Sequence, residues 1–230
     1  MGSSRIAAVS ADWMSNFFDR LAVEDRQKIL AAAKPRRFAA NSVITNQGHP
    51  ADGLFLLTKG RARYFFDEHG GRHILLHWLA VGELIGGMTL LAKPASYLLG
   101  SEAVKECSLL VWDRATIRSF VAQYPALLEN ALRTASDYLA WYLAAHVALT
   151  CHSAEQRLAG VLRSLAEVIG QNVVGGVELD VTNEELANAA NVTAFTASRL
   201  LSAWQRRGAV KKSRGKILLR QPAHLFPHEL

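Results

Sequence analysis

The sequence predicts an α+β chain in three parts: a small antiparallel β barrel or roll, a long amphipathic helix, and a helix-turn-helix followed by a basic wing. Three observations carry this. From Phe38 to Trp112 short apolar runs alternate with Gly, Pro and Asp turn signals. From Pro125 to Cys151 the apolar spacing lengthens to that of a helix. From Arg199 to Arg220 the chain holds eight basic residues and no acid, against a net charge of +6 over all 230 residues. The remainder is therefore slightly acidic, and the basicity is a local patch of the kind that meets a polyanion.

The strands expected in the roll are Ser42–Ile44, Leu54–Leu57, Arg61–Phe66, His73–Trp78 and Cys107–Trp112. Between them, Gly48-His49-Pro50, Gly60, the stretch from Asp67 to Gly71, and Gly82 supply bends. Pro125 suits the first turn of the following helix, where its missing N–H costs nothing. Along that helix Leu128, Leu132, Ala135, Leu139, Tyr142, His146 and Leu149 are spaced alternately by four and three, an a/d seam that predicts a homodimer. Polar Tyr142 and His146 on the seam fit either register fixing or contact with an effector.

The third part opens with a helix from Ala154 to about Ile169, a Gly175-Gly176 turn and a strand, Val177–Val181. Thr182-Asn183-Glu184-Glu185 offers a capping box for a short helix. Asn191, which tolerates a left-handed backbone, makes a tight turn. Thr193 then caps a second helix that ends at Arg207, and Gly208 terminates it. The expected domain limits are 1–123, 124–151 and 152–230.

Ala197, Leu200, Leu201 and Trp204 fall on one side of the second helix and can be buried. Phe195, Ser198, Arg199, Ser202 and Arg206 fall on the other and can read a major groove. Arg199 suits guanine, whose O6 and N7 accept two bonds from one guanidinium. Thr193 and Thr196 stand at the helix start. Arg206, Arg207, Lys211, Lys212, Arg214 and Lys216 suit phosphate, which positions a protein without specifying sequence.

Other classes are excluded on chemistry. No HExxH, Walker loop, GxSxG or CxxC motif is present, and Glu184-Glu185 is explained by capping, so no enzyme is expected. The longest apolar stretch, Tyr138–Cys151, falls short of the roughly 18 residues of a spanning helix. The apolar run before Asp12 is short for a secretory signal. Two cysteines, Cys107 and Cys151, imply no disulfide framework, and a cytoplasmic protein with no membrane partner is expected. A signalling module whose basic wing meets another acidic partner is the competing class.

These residues resemble the cyclic-AMP receptor and fumarate-nitrate regulator (CRP/FNR) superfamily of bacterial transcription factors. Gly48-His49-Pro50-Ala51-Asp52-Gly53-Leu54-Phe55 with Gly60 is similar to its GxxADxxF…G signature. Gly82-Glu83-Leu84-Ile85-Gly86 is similar to its GE-x-x-G turn, and Ser101-Glu102-Ala103-Val104 to the strand that follows. Thr196-Ala197-Ser198-Arg199-Leu200-Leu201 is similar to its TxSRxL recognition helix. The resemblance implies a jelly-roll-like, double-stranded β-helix sensor of the cyclic-nucleotide-binding fold, a dimerising helix and a winged helix-turn-helix. It also implies a palindromic operator in double-stranded DNA and RNA polymerase as a partner.

Departures from the family pattern bear on the effector. Members that bind cyclic nucleotides carry an Arg-Ser pair where this chain has Tyr97 and Leu98, which removes the main partner of a cyclic phosphate. That argues against cyclic AMP, although Glu83 is retained. Two cysteines cannot ligate an iron–sulfur cluster that needs four. His69, His73, His77 and His146 leave haem or a metal open beside ordinary surface or core roles. The resemblance places Glu83, Tyr97, Leu98, Tyr142 and Leu143 around an effector pocket. Cys151, beside His152 at the expected hinge, is read as a plain hinge residue with a redox role as the alternative. Many members have Glu where this chain has Phe195, which cannot accept from cytosine but can pack on a thymine methyl. The Phe-Thr-x-Ser-Arg variant also resembles regulators of nitrite and nitric oxide reductase genes.

Overall fold

The computed structural model describes residues 15–68, 73–213 and 215–220. The chain forms α1 (Val23–Ala31), β1 (Lys34–Phe38), β2 (Val43–Thr45), β3 (Gly53–Lys59), β4 (Ala62–Asp67), β5 (His73–Leu79), β6 (Leu84–Ile85), β7 (Gly100–Ala103) and β8 (Cys107–Asp113). Three helices follow: α2 (Arg114–Gln123), α3 (Ala126–Cys151) and α4 (Ala154–Ile169). The C-terminal part comprises β9 (Gln171–Val173), β10 (Gly176–Leu179), α5 (Asn183–Ala189), α6 (Ala194–Arg206), β11 (Val210–Ser213) and β12 (Lys216–Leu219). The chain divides into two compact units, 1–62 with 79–136, and 63–78 with 137–230.

In the first unit β1, β8, β3 and β6 form an antiparallel sheet in that order. Leu56 lies opposite Leu110 and Phe55 opposite Val111. The alternation of β3 sends Leu54 and Leu56 into a core with Phe17, Phe18, Ile29, Trp112, Ile117, Val121 and Leu127. The Trp112 indole donates to the Ile29 carbonyl at 2.7 Å, so this large ring is buried with its polar atom satisfied. Asp113 ends β8 and caps α2, accepting the Thr116 N–H at 2.9 Å. That bond holds its carboxyl below the usual carboxylate range. Gly60 is required by its surroundings: at φ +94° a Cβ there would lie 2.3 Å from the Glu106 carbonyl oxygen.

In the second unit β11, β12, β10 and β9 form an antiparallel sheet. Leu158, Leu162, Leu165, Leu179, Leu186, Leu201, Trp204, Ile217 and Leu219 are among its buried apolar residues. α4 is amphipathic and begins with a capping box in which Ser153 and Gln156 bond reciprocally. α5 has the expected box, with Thr182 and Glu185 as partners.

The expected Val177–Val181 strand is shifted to Gly176–Leu179, because β10 ends where the Thr182 cap begins. α3 starts at Ala126, with the Pro125 carbonyl accepting from Leu128 and Glu129 N–H, so Pro125 lies just before the helix. Asn191 adopts the left-handed backbone at φ 48°, and Gly208 does so at φ 77° just beyond α6.

Candidate nucleic-acid interface

α5 and α6 pack together, with Leu186, Ala187, Ala197 and Leu201 buried, and α6 also buries Trp204. The Trp204 indole donates to Glu155 Oε1 at 3.0 Å, anchoring α6 to the start of α4. Arg157 braces the turn between α5 and α6. Its guanidinium donates to the carbonyls of Ala190 (2.9 Å), Asn191 (3.2 Å) and His152 (2.8 Å). Sequence reading passed over Arg157, since a lone Arg in a helix carries no signal of partners 33 residues away.

Thr193 caps α6 by accepting the Thr196 N–H at 3.1 Å, and the two hydroxyls lie 2.9 Å apart. The opposite face is open: Phe195 is 78 % exposed, and Arg199 and Arg206 are exposed with Ser198 partly so. Among the described residues, Arg199, Arg206 and Lys211 have no ion pair, so their charge is available to an anion. The other predicted contacts among the described residues are engaged. The Ser202 hydroxyl donates to the Ser198 carbonyl at 2.8 Å and accepts from Lys212 Nζ at 3.3 Å, while Gln205 accepts the Lys212 N–H. Ser202 and Lys212 thus join α6 to the wing. Lys216 pairs with Glu178 at 2.5 Å, and that hydrogen bond and charge raise its ammonium above the ordinary value. Arg207 approaches Glu155 at 4.0 Å. Arg214 lies outside the described residues.

The residues expected around an effector divide between the units. In the first, the Glu83 carboxylate accepts the Ala80 N–H within its own turn. The Tyr97 hydroxyl accepts the Gly53 N–H at 3.0 Å and lies within reach of Gly53 O (2.9 Å) and Asp52 Oδ1 (3.2 Å). Burial is the main cause that raises the Tyr97 phenol above its ordinary range. Tyr97 is therefore a buried brace for the turn before β3, and Leu98 is exposed. In the second unit Tyr142 is half-buried, with its phenol raised by burial, and Leu143 is exposed.

His73 pairs with Asp67 at 2.8 Å and lies against the Phe65 ring. His77 meets the Tyr138 and Trp141 rings edge-on. His146 is exposed, and His69 lies outside the described residues. No group of three or more His, Cys, Asp or Glu among the described residues could hold a metal ion. Cys107 is buried with its thiol raised by burial, and Cys151 is exposed. On α3 Leu128, Leu132, Ala135, Leu139, His146 and Leu149 of the predicted seam are exposed, with Leu143 and Val147 beside them.

Two family models match in succession: a cyclic nucleotide-binding domain over residues 35–124 and a Crp-like helix-turn-helix domain over residues 156–226. The chain belongs to the CRP/FNR superfamily. This regulator is 27% identical over 211 residues to the cyclic AMP receptor protein of Thermus thermophilus, covering 92% of this chain and 95% of the relative. It is 22% identical over 188 residues to the CRP-like cAMP-activated global transcriptional regulator of Mycobacterium tuberculosis, covering 81% and 84%. In fold it is similar to the c-di-GMP responsive global regulator CLP of Xanthomonas campestris, with a TM-score of 0.75 at 19% identity over 87% of this chain and 100% of that one. FixK2 from Bradyrhizobium japonicum gives a TM-score of 0.73 at 19% identity over 84% and 95%. The chain is thus a DNA-binding transcriptional regulator of CRP/FNR type, with an N-terminal β-rich domain, long helices and a C-terminal helix-turn-helix. No described helix is long and apolar enough to cross a membrane.

Proposed function

We propose that the regulator acts as a homodimer that reads a twofold-symmetric operator, its half-sites about 34 Å apart so that two recognition helices enter successive major grooves. The observation that carries this reading is the open face of α6, where Phe195 and Arg199 project from a helix capped at Thr193 and held from behind by Trp204. Arg199 reads a guanine, Phe195 packs on a thymine methyl, and Arg206 and Lys211 hold phosphates. The exposed leucines of α3 supply the twofold contact, since several large apolar side chains along one helix face lower their free energy by meeting a second copy. RNA polymerase is the partner at the promoter, and the protein works in the cytoplasm with its DNA.

The effector in this reading is a molecule other than cyclic AMP: a gas at haem, a redox signal or a small apolar ligand. Tyr97 occupies the place of the family's phosphate-binding cation and is bonded to Gly53, and Glu83 is engaged in its own turn. An absorption spectrum of freshly purified protein separates these readings, a Soret band establishing haem.

The DNA-reading claim is tested by titrating wild type and Arg199→Ala against a TTG-type palindrome and random DNA across salt. The expected loss is about 1–3 kcal/mol on the palindrome and much less on random DNA. Equal loss on both would reduce Arg199 to a phosphate contact.

A further inference from the structure

The β4–β5 segment groups with the C-terminal elements in one compact unit, and an ion pair joins it to the helix-turn-helix. Arg63 on β4 places Nη1 3.3 Å from Glu185 Oε1 on α5, and both side chains are largely buried, at 24% and 21% exposure. The guanidinium lies 5.9 Å from the centre of the Trp78 ring on β5, within range for a cation–π contact.

Glu185 serves two elements at once. While Oε1 faces Arg63, Oε2 accepts the Thr182 N–H at 2.8 Å and the Thr182 hydroxyl at 3.0 Å, completing the capping box of α5. The apolar contact beside this pair is not close-packed. A cavity of about 50 Å³ remains among residues that include Leu75, Trp78, Trp141, Leu165, Val168 and Ala189. Apolar surfaces that leave such a gap attract without fixing one register, whereas a largely buried, directional ion pair selects one arrangement.

We propose that Arg63 is a positioning residue for DNA binding: paired with Glu185, it holds the β4–β5 hairpin on α5 and so sets the orientation of the helix-turn-helix. The clasp orients rather than occludes, because Phe195 and Arg199 remain exposed on α6. The inference rests on the DNA-reading role of α6 proposed above.

The test is a double-mutant cycle in the full chain with Arg63→Met and Glu185→Gln, plus Arg63→Lys as the conservative variant. Gln is accepted at this position of a capping box, so Glu185→Gln weakens the ion pair while sparing the start of α5. Each single variant is expected to lose about tenfold in affinity for the palindrome, within the usual range of coupling between sites. Affinity for random DNA should stay unchanged, the double variant should be no worse than either single one, and Arg63→Lys should recover part of the loss. Hydrogen exchange without DNA should show β4–β5 amides less protected in both single variants, with the far-ultraviolet circular dichroism unaltered. Additive losses, tighter binding by the variants, or unchanged hairpin protection would each overturn the clasp. A wild type that does not distinguish the palindrome from random DNA would instead overturn the DNA reading, and the exchange measurement still decides whether the clasp exists.

Discussion

The exposed face of α6 and the outer stripe of α3 are both open to solvent, and their chemistry is opposite. α6 exposes Arg199, Arg206 and an isolated Phe195 on a helix capped by Thr193. α3 exposes Leu128, Leu132, Leu139, Leu143, Val147 and Leu149 along about six turns of helix. A charged face meets a polyanion by releasing counterions, so its contacts weaken as salt rises. An apolar face meets a second copy by leaving water, and its contacts tolerate salt. Exposure alone therefore does not identify a site; the charge of what is exposed decides which partner answers it.

The comparison breaks most visibly if the stripe is made polar. Replacing Leu132 and Leu139 together with Asp should convert a dimer to a monomer in sedimentation and abolish palindrome binding. Burying each leucine is worth about 2 kcal/mol, and each occurs twice in a symmetric contact. A dimer that persists would remove the twofold role of α3.

On α6, Phe195→Glu exchanges an apolar contact for a carboxylate that accepts from cytosine N4. Base preference at that half-site position should move from A·T toward C·G by about 1–3 kcal/mol in a binding-site selection. Lys211→Ala should act more evenly, weakening palindrome and random DNA alike and lowering the slope of log affinity against log salt by about 1. A Lys211 variant that loses only specific binding would shift base reading to the wing.

The smallest effect lies away from both faces. The Asp113 carboxyl is held below its unfolded value by the Thr116 N–H, so its capping stabilises the fold above that unfolded value. This stabilisation is lost as pH falls through the lowered folded value. Asp113→Asn keeps a capping oxygen without the titration, and the acid limb of its thermal melting profile should be shallower than that of wild type.

How far the fold was legible follows from how local its signals are. The second capping box, the Asn191 turn, α6 and the wing were readable because each rests on residues within a few positions of one another. β1 was not, since Lys-Pro-Arg-Arg-Phe is a mostly exposed strand paired to β8 alone and shows no alternation. α1 buries only Ile29 and carries a weak stripe. α2 was missed although Asp113 caps it and Ile117 and Val121 are buried, a spacing too brief to stand out. In the site, Arg199 and Phe195 were visible from helical spacing. Ser202, assigned to the same face, also bonds Lys212 of the wing, a contact that helical spacing does not show. Arg157 with Ala190, Glu155 with Trp204 and Arg63 with Glu185 were invisible because their partners are distant in sequence.

Arg157 has a mechanical meaning. One guanidinium grips the His152 carbonyl just past α3 and the Ala190 and Asn191 carbonyls between α5 and α6. The exit of the long helix and the elbow of the recognition motif are therefore pinned to one rigid plane of atoms. A rotation of the last turn of α3 would therefore bear directly on that elbow through one side chain.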